Sequence, residues 1–588
     1  MLRTAWLTLP LLALAAGGGA VSANARSLEK TTTSYTTIAG DPRAPYSGLK
    51  LQAGWKRVVR DDLASPRRRR HVRRRSLLYF AQLSDFQLAD EESPARAEAL
   101  DVANSPFTSA WRPQEALEPF TVDAVVRQVN RFDSSPIRNR RRRHARLALS
   151  ITTGDSADNQ QINETKWVVR LLEGGRLNPN SGVEGGLCGA LAAAPAGEAA
   201  RYTGVQDDDD VLESGRFYDP DRPSGAFAAF PRYPGLMDRA QVPFEAAGLT
   251  KPSYVSFGNH DGTVQGNIHA LKALDDLARG CLKPLALTGV SDLAGLLTSP
   301  ARSIVVPPDP ERGFADRPTY RGLHATGSQR DAHGFAHVDR DELSASRGEA
   351  SYYAFSPRPG LRMISVNTVA EGDRLSSSGN IDDPQFRWIE RELKAADGRD
   401  ELVILFGHHP IGSLTNSAAD EDAGDCVLRA VFGPGCDRDP RASKPLHLGP
   451  SFERLLLAHP RVIAYVAGHT HENRITAFER APDGRGGGFW GIETASEIDW
   501  PIQSRLLEVM DNRDGTLSIF GTLIDHGASL ATPPPGTNAG AFDAETLAAI
   551  GRELAYNDPQ VGFEAGAEGR PQDRNVELLL ADPRTPER

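Results

Sequence analysis

The sequence is poor in cysteine and has no Cys-x-x-Cys pair, which argues against a zinc ribbon and a thioredoxin-type redox motif. Its four cysteines are Cys188, Cys281, Cys426 and Cys436, in a chain of 588 residues. Positive charge is not in excess either, because 67 Lys and Arg face 77 Asp and Glu for a net charge of −10. A dedicated nucleic-acid-binding protein would be basic, so we do not expect nucleic acid as a partner.

Aromatic residues are also sparse, at 7%, but the 39% of hydrophobic residues suffices for a globular core and excludes a disordered chain or a fibrous repeat. The 55 glycines and 41 prolines predict many loops. The length suits several domains or one large domain with insertions.

Beyond its first 25 residues the sequence has no apolar stretch long enough to span a membrane. Residues 1–25 predict a secretory signal peptide, with Arg3, an apolar run over 5–16, and Ala23-Asn24-Ala25 as the cleavage site. An uncleaved N-terminal anchor is the alternative. With cleavage, we expect a secreted or periplasmic protein without an integral membrane span.

Export favours disulfide bonds between the cysteines. Cys426 and Cys436 are close in a loop rich in glycine and proline, which makes them the favoured pair. Four cysteines allow three connectivities, and a fully reduced chain is a further alternative.

The chain divides into segments of different character. We predict a signal peptide at 1–25, an N-terminal extension at 26–76, a main domain at 77–530 and a C-terminal extension at 531–588. Two long insertions in the main domain, about 176–250 and 283–350, contain no readable motif. We expect these insertions to form the walls of the pocket.

Two arginine-rich runs, at 66–75 and 138–146, directly precede apolar strand-like segments. They are either solvated loops at strand entrances or a patch for an anionic surface or polyanion. Both alternatives stay open.

From residue 77 onward, short β-type runs alternate with amphipathic stretches, which predicts an α/β layered core. The predicted strands are 77–84, 147–153, 252–257, 351–356, 361–367, 401–407 and 462–467, with a hairpin formed by 504–510 and 517–523. The predicted helices are 119–132, 161–173, 267–279, 384–396, 451–458 and 544–555. Functional sites in such sheets form at the carboxyl ends of strands.

Five of these strands end in side chains that bind metals. The blocks are Leu83-Ser84-Asp85-Phe86-Gln87, Thr153-Gly154-Asp155-Ser156-Ala157-Asp158-Asn159, Phe257-Gly258-Asn259-His260-Asp261, Gly407-His408-His409-Pro410 and Ala467-Gly468-His469-Thr470-His471. Carboxylate, amide and imidazole ligands together suit manganese, iron or zinc. Each block alone is a weak signal, whereas five in this order after five strands are a strong one.

With these blocks the sequence resembles the calcineurin-like metallophosphoesterase superfamily over about 77–530. That family's pattern is D-x-H, G-D-x-x-D-N, G-N-H-D, a histidine often followed by x-P, and G-H-x-H. Further segments, 233–238, 262–267, 385–388 and 494–501, resemble an exported bacterial branch. The resemblance implies a layered β-sandwich core flanked by helices, with long loop insertions, and two divalent or mixed-valence ions of manganese, iron or zinc.

The resemblance also implies a role for each matching residue. Asp85, Gln87 and His471 would bind the first ion, Asn259, His408 and His469 the second, and Asp155 both. His260 would stand over the leaving group as a general acid, with Asp261 orienting it through its other ring nitrogen. Asp158, Asn159 and His409 would lie in the surrounding shell or contact substrate.

Gln87 departs from the family pattern, which commonly has histidine at this position. A glutamine carbonyl favours harder, oxygen-preferring metals. The D-x-Q block also resembles a manganese-dependent subgroup that cleaves nucleotide-type pyrophosphates. The departure leaves the identity of the first metal open.

The function implied is hydrolysis of phosphate esters by a secreted enzyme. Two ions about 3.5–4 Å apart would activate a bridging hydroxide for in-line attack on a phosphorylated small-molecule or nucleotide-like substrate. Ser156 lacks the G-x-S-x-G setting of a nucleophile, so no covalent step is expected. A pyrophosphatase, a nuclease and a metal-containing binding protein without turnover are the alternatives, and the sequence does not predict the oligomeric state.

Overall fold

A computed structural model describes residues 31–68, 70–101, 110–139, 143–182, 202–206, 215–287, 300–370, 376–419, 441–480, 487–563 and 566–584. The strands of the described residues are β1 (Tyr35–Ala39), β2 (Leu49–Ala53), β3 (Val58–Leu63), β4 (Arg75–Leu83), β5 (Ser134–Arg138), β6 (His144–Arg146), β7 (Leu149–Thr152), β8 (Gly175–Leu177), β9 (Phe244–Ala246), β10 (Ser253–Val255), β11 (Leu282–Leu287), β12 (Pro300–Val305), β13 (Tyr353–Arg358), β14 (Leu361–Ser365), β15 (Leu402–Phe406), β16 (Val462–Ala467), β17 (Arg474–Glu479), β18 (Gly488–Glu493), β19 (Gln503–Asp511), β20 (Thr516–Asp525) and β21 (Val576–Ala581). The helices are α1 (Arg70–Arg73), α2 (Glu118–Arg131), α3 (Ile162–Glu173), α4 (Leu236–Ala240), α5 (Asn259–Gly262), α6 (Lys272–Ala278), α7 (Arg317–His324), α8 (Arg340–Ala345), α9 (Asp383–Gly398), α10 (Gly449–Ala458) and α11 (Ala544–Asn557).

Two large sheets carry the fold. The first has the strand order β10-β7-β4-β19-β20-β21-β3, and the second has the order β13-β14-β15-β16-β18-β17. Strands β4, β7 and β10 run parallel to one another, as do β14, β15, β16 and β18. The carboxyl ends of these parallel strands therefore lie along one edge of each sheet.

The two sheets pack face to face around a shared core. Hydrogen bonds cross between them from the Tyr353 hydroxyl to the Val255 carbonyl at 2.9 Å, and from Gln82 Nε2 to the Ala467 carbonyl at 2.8 Å. Every residue of β15 and β16 is buried, which is typical of parallel strands covered on both faces. Helices α2 and α9 contact the sheets, so the predicted layered β-sandwich core flanked by helices is confirmed.

The predicted elements match the observed ones closely, including the hairpin formed by β19 and β20. The prediction for 267–279 is too long at its start, because α6 begins only at Lys272. Residues 264–268 form a tight turn instead, closed by a bridge between Val264 and Ile268. This turn brings the Gly266 carbonyl within 2.9 Å of Asn259 Nδ2.

Segments predicted as extensions complete the first sheet. Strand β21 pairs with β20, and β3 pairs with β21, so residues from both ends of the chain belong to the core. The buried Arg505 fastens this arrangement by donating to the carbonyls of Asp573 and Arg574 at 3.1 and 2.8 Å. Among the described helices, none has the length and apolar composition needed to cross a bilayer.

Cys281 is disulfide-bonded, which removes the fully reduced alternative. Cys188 and the favoured pair Cys426–Cys436 lie outside the described residues.

Candidate metal centre

The five sequence blocks converge at one place in the fold. Three of them follow the neighbouring parallel strands β4, β7 and β10 of the first sheet, and two follow the neighbouring parallel strands β15 and β16 of the second. Because the sheets stack with these edges together, all seven predicted metal ligands lie in or beside one cluster.

One half of the cluster is formed by Asp155, His408, His469 and Asn259. His408 Nε2 lies 3.1 Å from Asp155 Oδ2 and 3.2 Å from His469 Nδ1. Two ligands of one ion, each about 2.0–2.1 Å from it, stand roughly 3 Å apart. The spacing therefore fits a shared ion.

The other half is formed by Asp85, Gln87 and His471. His471 Nε2 lies 3.4 Å from Asp85 Oδ1 and 3.3 Å from Gln87 Nε2. The two halves lie next to each other. The Asp85 carboxylate accepts the backbone N–H of His469 at 3.2 Å, and its Oδ1 atom lies 4.0 Å from His408 Nδ1.

Two buried amide oxygens test whether this cluster suits metal ions. Gln87 Oε1 and Asn259 Oδ1 are buried and have no hydrogen-bond partner among the described residues. An unsatisfied buried oxygen costs about 1–3 kcal/mol, which a cation would offset. Oxygen and imidazole donors of this kind suit manganese, iron or zinc. The residues present therefore fit two metal ions.

The backbone at the cluster is strained. Five of the seven predicted ligands have left-handed φ angles, namely Asp85 (54°), Gln87 (42°), Asp155 (52°), His469 (70°) and His471 (54°). Thirteen non-glycine residues adopt positive φ in the described chain, so more than a third of them are here. Each such residue costs on the order of 1–3 kcal/mol, and such strain concentrates at functional sites.

Two neighbouring glycines allow the loops to approach this closely. A Cβ atom at Gly258 would lie 2.2 Å from the Asp155 amide nitrogen, and one at Gly468 would lie 2.0 Å from Ser84 Oγ. Neither position has room for a side chain.

Hydrogen bonds set the tautomers of two of the histidines. His408 Nδ1 donates to the Thr153 carbonyl at 2.9 Å, and His471 Nδ1 donates to Asp499 Oδ2 at 2.6 Å. In both rings Nε2 is therefore the atom that faces the cluster and is left to bind a metal.

The charges of the cluster are strongly coupled. Burial opposes protonation of His408 and His471, but Asp155 raises the pKa of His408 to about 9, and Asp499 and Asp85 raise that of His471 to about 10. Burial and the facing His408 lower the pKa of His469 to about 3. A cation held by these atoms would take the place of the protons that the carboxylates otherwise attract.

Asp499 is a site residue that sequence reasoning missed. Its carboxylate holds His471 and in turn accepts a bidentate ion pair from Arg112, with Nε at 2.6 Å and Nη2 at 3.2 Å. Asp499 lies in the segment 494–501, whose resemblance to the family could have pointed to it. Arg112 lies outside every motif, so no sequence signal pointed to it.

His260 is oriented by Asp158, not by Asp261 as predicted. His260 Nδ1 lies 3.1 Å from Asp158 Oδ1 and 3.0 Å from the Asp158 carbonyl. Its Nε2 lies 3.9 Å from Asp155 Oδ2 at the cleft.

The Asp261 carboxylate is used elsewhere. It accepts the backbone N–H groups of Ser156 at 3.1 Å, Ala157 at 3.0 Å and Gly258 at 2.9 Å. It therefore ties the loop after β7 to the start of α5, and burial and the nearby Asp155 charge raise its pKa to about 7.

Arg96 fixes Asp158 from behind. Its guanidinium contacts Asp158 Oδ2 at 2.7 Å, Glu115 Oε1 at 2.8 Å and Glu98 Oε1 at 3.2 Å, all in the protein interior. Burial alone would raise the pKa of Asp158, but Arg96 and His260 hold it below its ordinary value. The carboxylate thus stays ionised opposite His260.

His409 lies beside the cluster with both ring nitrogens engaged. Nε2 donates to the Ser377 carbonyl at 2.7 Å, and Nδ1 accepts from Thr368 Oγ1 at 2.8 Å. Although a ligand atom of His409 lies close enough to those of His408 and His469 for one ion, these two bonds leave it no free lone pair.

Asn159 shapes its loop. Its backbone N–H donates to Glu164 Oε2 at 2.8 Å, and its side chain is buried. Both observations suit a residue that supports the loop after β7.

A cleft of about 300 Å³ opens above the cluster. Its lining consists of Gln87, Arg112, Asp155, Asn259, His260, Ser377, His469, Thr470, His471, Glu472, Asp499, Trp500, Val561 and Ala567. Among the described residues, neither insertion 176–250 nor insertion 283–350 contributes to this lining, so the expectation that they form the walls is wrong for those residues. The loops after β16 and β18 and the C-terminal segment occupy that place.

Fold and site together define an α/β sandwich with a candidate two-metal centre at its strand ends. No protein-family model matches the chain. Sphingomyelin phosphodiesterase of Bos taurus is 41% identical over 69 residues, and that of Homo sapiens is 39% identical over 69 residues. Each match covers 11% of this chain and 11% of the relative, so the chain spans about a tenth of the relatives' length.

Two solved structures align with this chain at low sequence identity. A dimetal phosphatase from Danio rerio aligns with 77% of this chain and 100% of its own, at 12% identity and a TM-score of 0.34. A purple acid phosphatase from yellow lupin (Lupinus luteus) seeds aligns with 81% of this chain and 55% of its own, at 11% identity and a TM-score of 0.24. Both likenesses are weak at these identities and TM-scores.

Proposed function

We propose that this protein is a metal-dependent phosphoesterase of the calcineurin-like metallophosphoesterase superfamily. The observation that carries the proposal is the meeting of two buried carboxylates, three imidazoles and two unpartnered amide oxygens beneath one open cleft. A single ion would not need seven donors from five loops. Two ions would use all of them.

Asp85, Gln87 and His471 would hold one ion, Asn259, His408 and His469 the other, and Asp155 lies where it can reach both. When bound, such a pair of ions supplies an activated water and neutralises charge on the phosphoryl oxygens. The protein holds its ligands rigidly for this task through Thr153, Asp499 and the strained loops.

His260 is the proposed general acid. Asp158 holds its Nδ1, so Nε2 is the atom that can pass a proton to a leaving oxygen at the cleft. Burial favours the neutral ring, but Asp155 and Asp158 raise the pKa of His260 above its ordinary value. This shift favours the protonated ring that a general acid requires.

Two substrate classes are the leading candidates. The curated relatives are named as phosphodiesterases, which favours a phosphodiester. The buried, unpartnered carbonyl of Gln87 favours a ligand role for this residue and so keeps a manganese-dependent pyrophosphatase as the second candidate.

The test is a product-release assay on the purified chain, stripped and reloaded with manganese, iron or zinc. Phosphate monoesters, phosphodiesters and nucleotide-like pyrophosphates are compared, and Asp155→Asn is the matched control. We expect metal-dependent turnover that prefers one class and is lost in the control. No turnover with any metal, despite two bound ions, would favour a binding protein instead.

Export is part of the proposal. Residues 1–25 have the pattern of a signal peptide, and the disulfide at Cys281 suits an oxidising compartment. Fractionation of cells expressing the full chain, with mass spectrometry of its N-terminus, tests this. We expect a shortened chain in the secreted or periplasmic fraction. A full-length chain in the cytoplasm would contradict it.

A further inference from the structure

A dense group of arginines lies far from the metal centre. Within 67–75 and 138–146 there are thirteen arginines, although the whole chain has a net charge of −10. The structure brings the two runs together, because Arg74 Nε donates to the Arg138 carbonyl at 3.0 Å. What the sequence presents as two separate runs is therefore one surface.

Six arginines of this surface are exposed and form no ion pair among the described residues. We call them the basic face: Arg67, Arg68, Arg73, Arg75, Arg138 and Arg143. The carboxylates near them already have partners, since Glu577 pairs with Arg70 at 2.9 Å and Asp133 pairs with Arg146 and Lys251. The charge of the basic face is thus left for an external partner.

The basic face lies at the opposite edge of the sheet from the metal centre. Arg75 begins β4 and Asp85 follows its end, so at about 3.3 Å per residue the two are roughly 30 Å apart. Arg143 likewise precedes β7, which runs parallel to β4 and ends before Asp155. A partner on the basic face would leave the cleft open.

The chemistry of the basic face favours a layer of phosphates over a single groove-bound strand. Guanidinium groups bind phosphate oxygens bidentately. The only helix within the arginine runs of the described chain is α1, with four residues, too short to read a DNA groove. The described residues of the two runs include no Phe, Tyr or Trp, the rings on which single-stranded bases most often stack. Val72, next to Arg73, is 54% exposed and adds an apolar side chain to this surface.

We propose that the basic face docks the protein onto an anionic phospholipid bilayer, with the cleft turned away from the lipid. Polybasic segments bind anionic membranes through the summed attraction of their charges. The acidic remainder of the chain would be repelled by the same surface, which fixes the orientation. If the proposed phosphoesterase function holds, the docked enzyme takes its substrate from the aqueous side.

The test is co-sedimentation of the full chain with vesicles of phosphatidylglycerol and phosphatidylcholine, compared with vesicles of phosphatidylcholine alone. We expect binding only to the anionic vesicles, weakened by salt. The variant Arg67→Gln/Arg68→Gln/Arg73→Gln/Arg143→Gln should lose about 10²-fold or more in vesicle affinity, at roughly fivefold per arginine. A control with the same charge change, Arg330→Gln/Arg340→Gln/Arg347→Gln/Arg454→Gln, should bind as the parent does.

Thermal unfolding of both variants checks that they are folded, and turnover of a soluble substrate should be unchanged in both. Because the binding assay needs no turnover, it stands even if the proposed activity fails. Equal binding to neutral vesicles, or equal loss in both variants, would overturn the proposal. So would binding to a DNA duplex that is tighter than binding to anionic vesicles, which would make nucleic acid the partner.

Discussion

The two sheets contribute different chemistry to the proposed metal centre. The first sheet supplies only oxygen donors, from Asp85, Gln87, Asp155 and Asn259, whereas the second supplies only imidazole nitrogens, from His408, His469 and His471. The oxygen side is held mainly by loop backbone and the nitrogen side by hydrogen bonds to Thr153 and Asp499. Neither sheet holds a complete site, so the centre exists only where the sheets pack together.

The proposed centre therefore depends on both sheets of the sandwich and on how they pack. Each proposed ion would take donors from both sheets, because His471 faces Asp85 across the interface and His408 faces Asp155. A variant of Asp155 should therefore affect both ions, whereas a variant of any other proposed ligand should affect only one.

The largest effect is expected from Asp155→Asn. Asp155 lies where it can serve both halves, so the variant should lose occupancy of both ions and at least several kcal/mol of transition-state stabilisation, roughly 10³-fold in kcat. Metal quantification on the purified variant measures this. Two retained ions with normal activity would contradict a shared role for Asp155.

His260→Ala should keep both ions and still lose activity. An alkyl or ribosyl phosphate needs a proton on its strongly basic leaving oxygen, so kcat should fall by about 10²–10⁴-fold, and clearly less for a nitrophenyl ester. Asp158→Asn should show the same leaving-group pattern in weaker form, since Asp158 acts through His260. Equal losses on both esters, or missing metal, would make His260 a ligand or a structural residue.

A one-sided loss is expected from Asp499→Asn. The variant weakens the hydrogen bond that His471 Nδ1 donates to residue 499. Metal affinity should therefore fall by about 10–100-fold, and only for the ion proposed between Asp85, Gln87 and His471. Calorimetric titration with the metal should show one weakened site and one unchanged site. Loss of both ions would mean that the two halves are not separable.

Gln87→His should have the smallest effect on rate. Exchanging a carbonyl for an imidazole at one position should shift metal preference from manganese towards zinc or iron. Activity across a metal series checks this, with Thr470→Ala at the rim as a control that should leave the series unchanged. An unaltered profile would mean that Gln87 does not bind metal.

The sequence predicted the strands, and placed the candidate ligands after their ends, because both signals are local. One residue separates the ends of β4, β15 and β16 from Asp85, His408 and His469, so the candidate blocks could be placed at strand ends without the structure. The hydrogen bond between Asp158 and His260 could not be predicted from such local signals. It depends on how the loops after β7 and β10 fold against each other, and the sequence favoured the adjacent Asp261.

Arg112 and the cleft walls could not be predicted for the same reason. Arg112 comes close to Asp499 only through tertiary packing, across 387 residues of chain. The left-handed backbone at Asp85 and His471 has only a weak sequence signal, since aspartate and histidine adopt it far less often than glycine. Strand β3, with its mixed polar sequence, had no strand pattern and was read as part of an extension.

The most direct test of the two-ion account is a crystal structure of the manganese-loaded chain, with anomalous scattering measured at a wavelength where manganese scatters strongly. A two-ion centre should give two anomalous peaks, one among Asp85, Gln87 and His471 and one among Asn259, His408 and His469, with Asp155 next to both. A single peak, or peaks away from these residues in protein that is fully active, would contradict it.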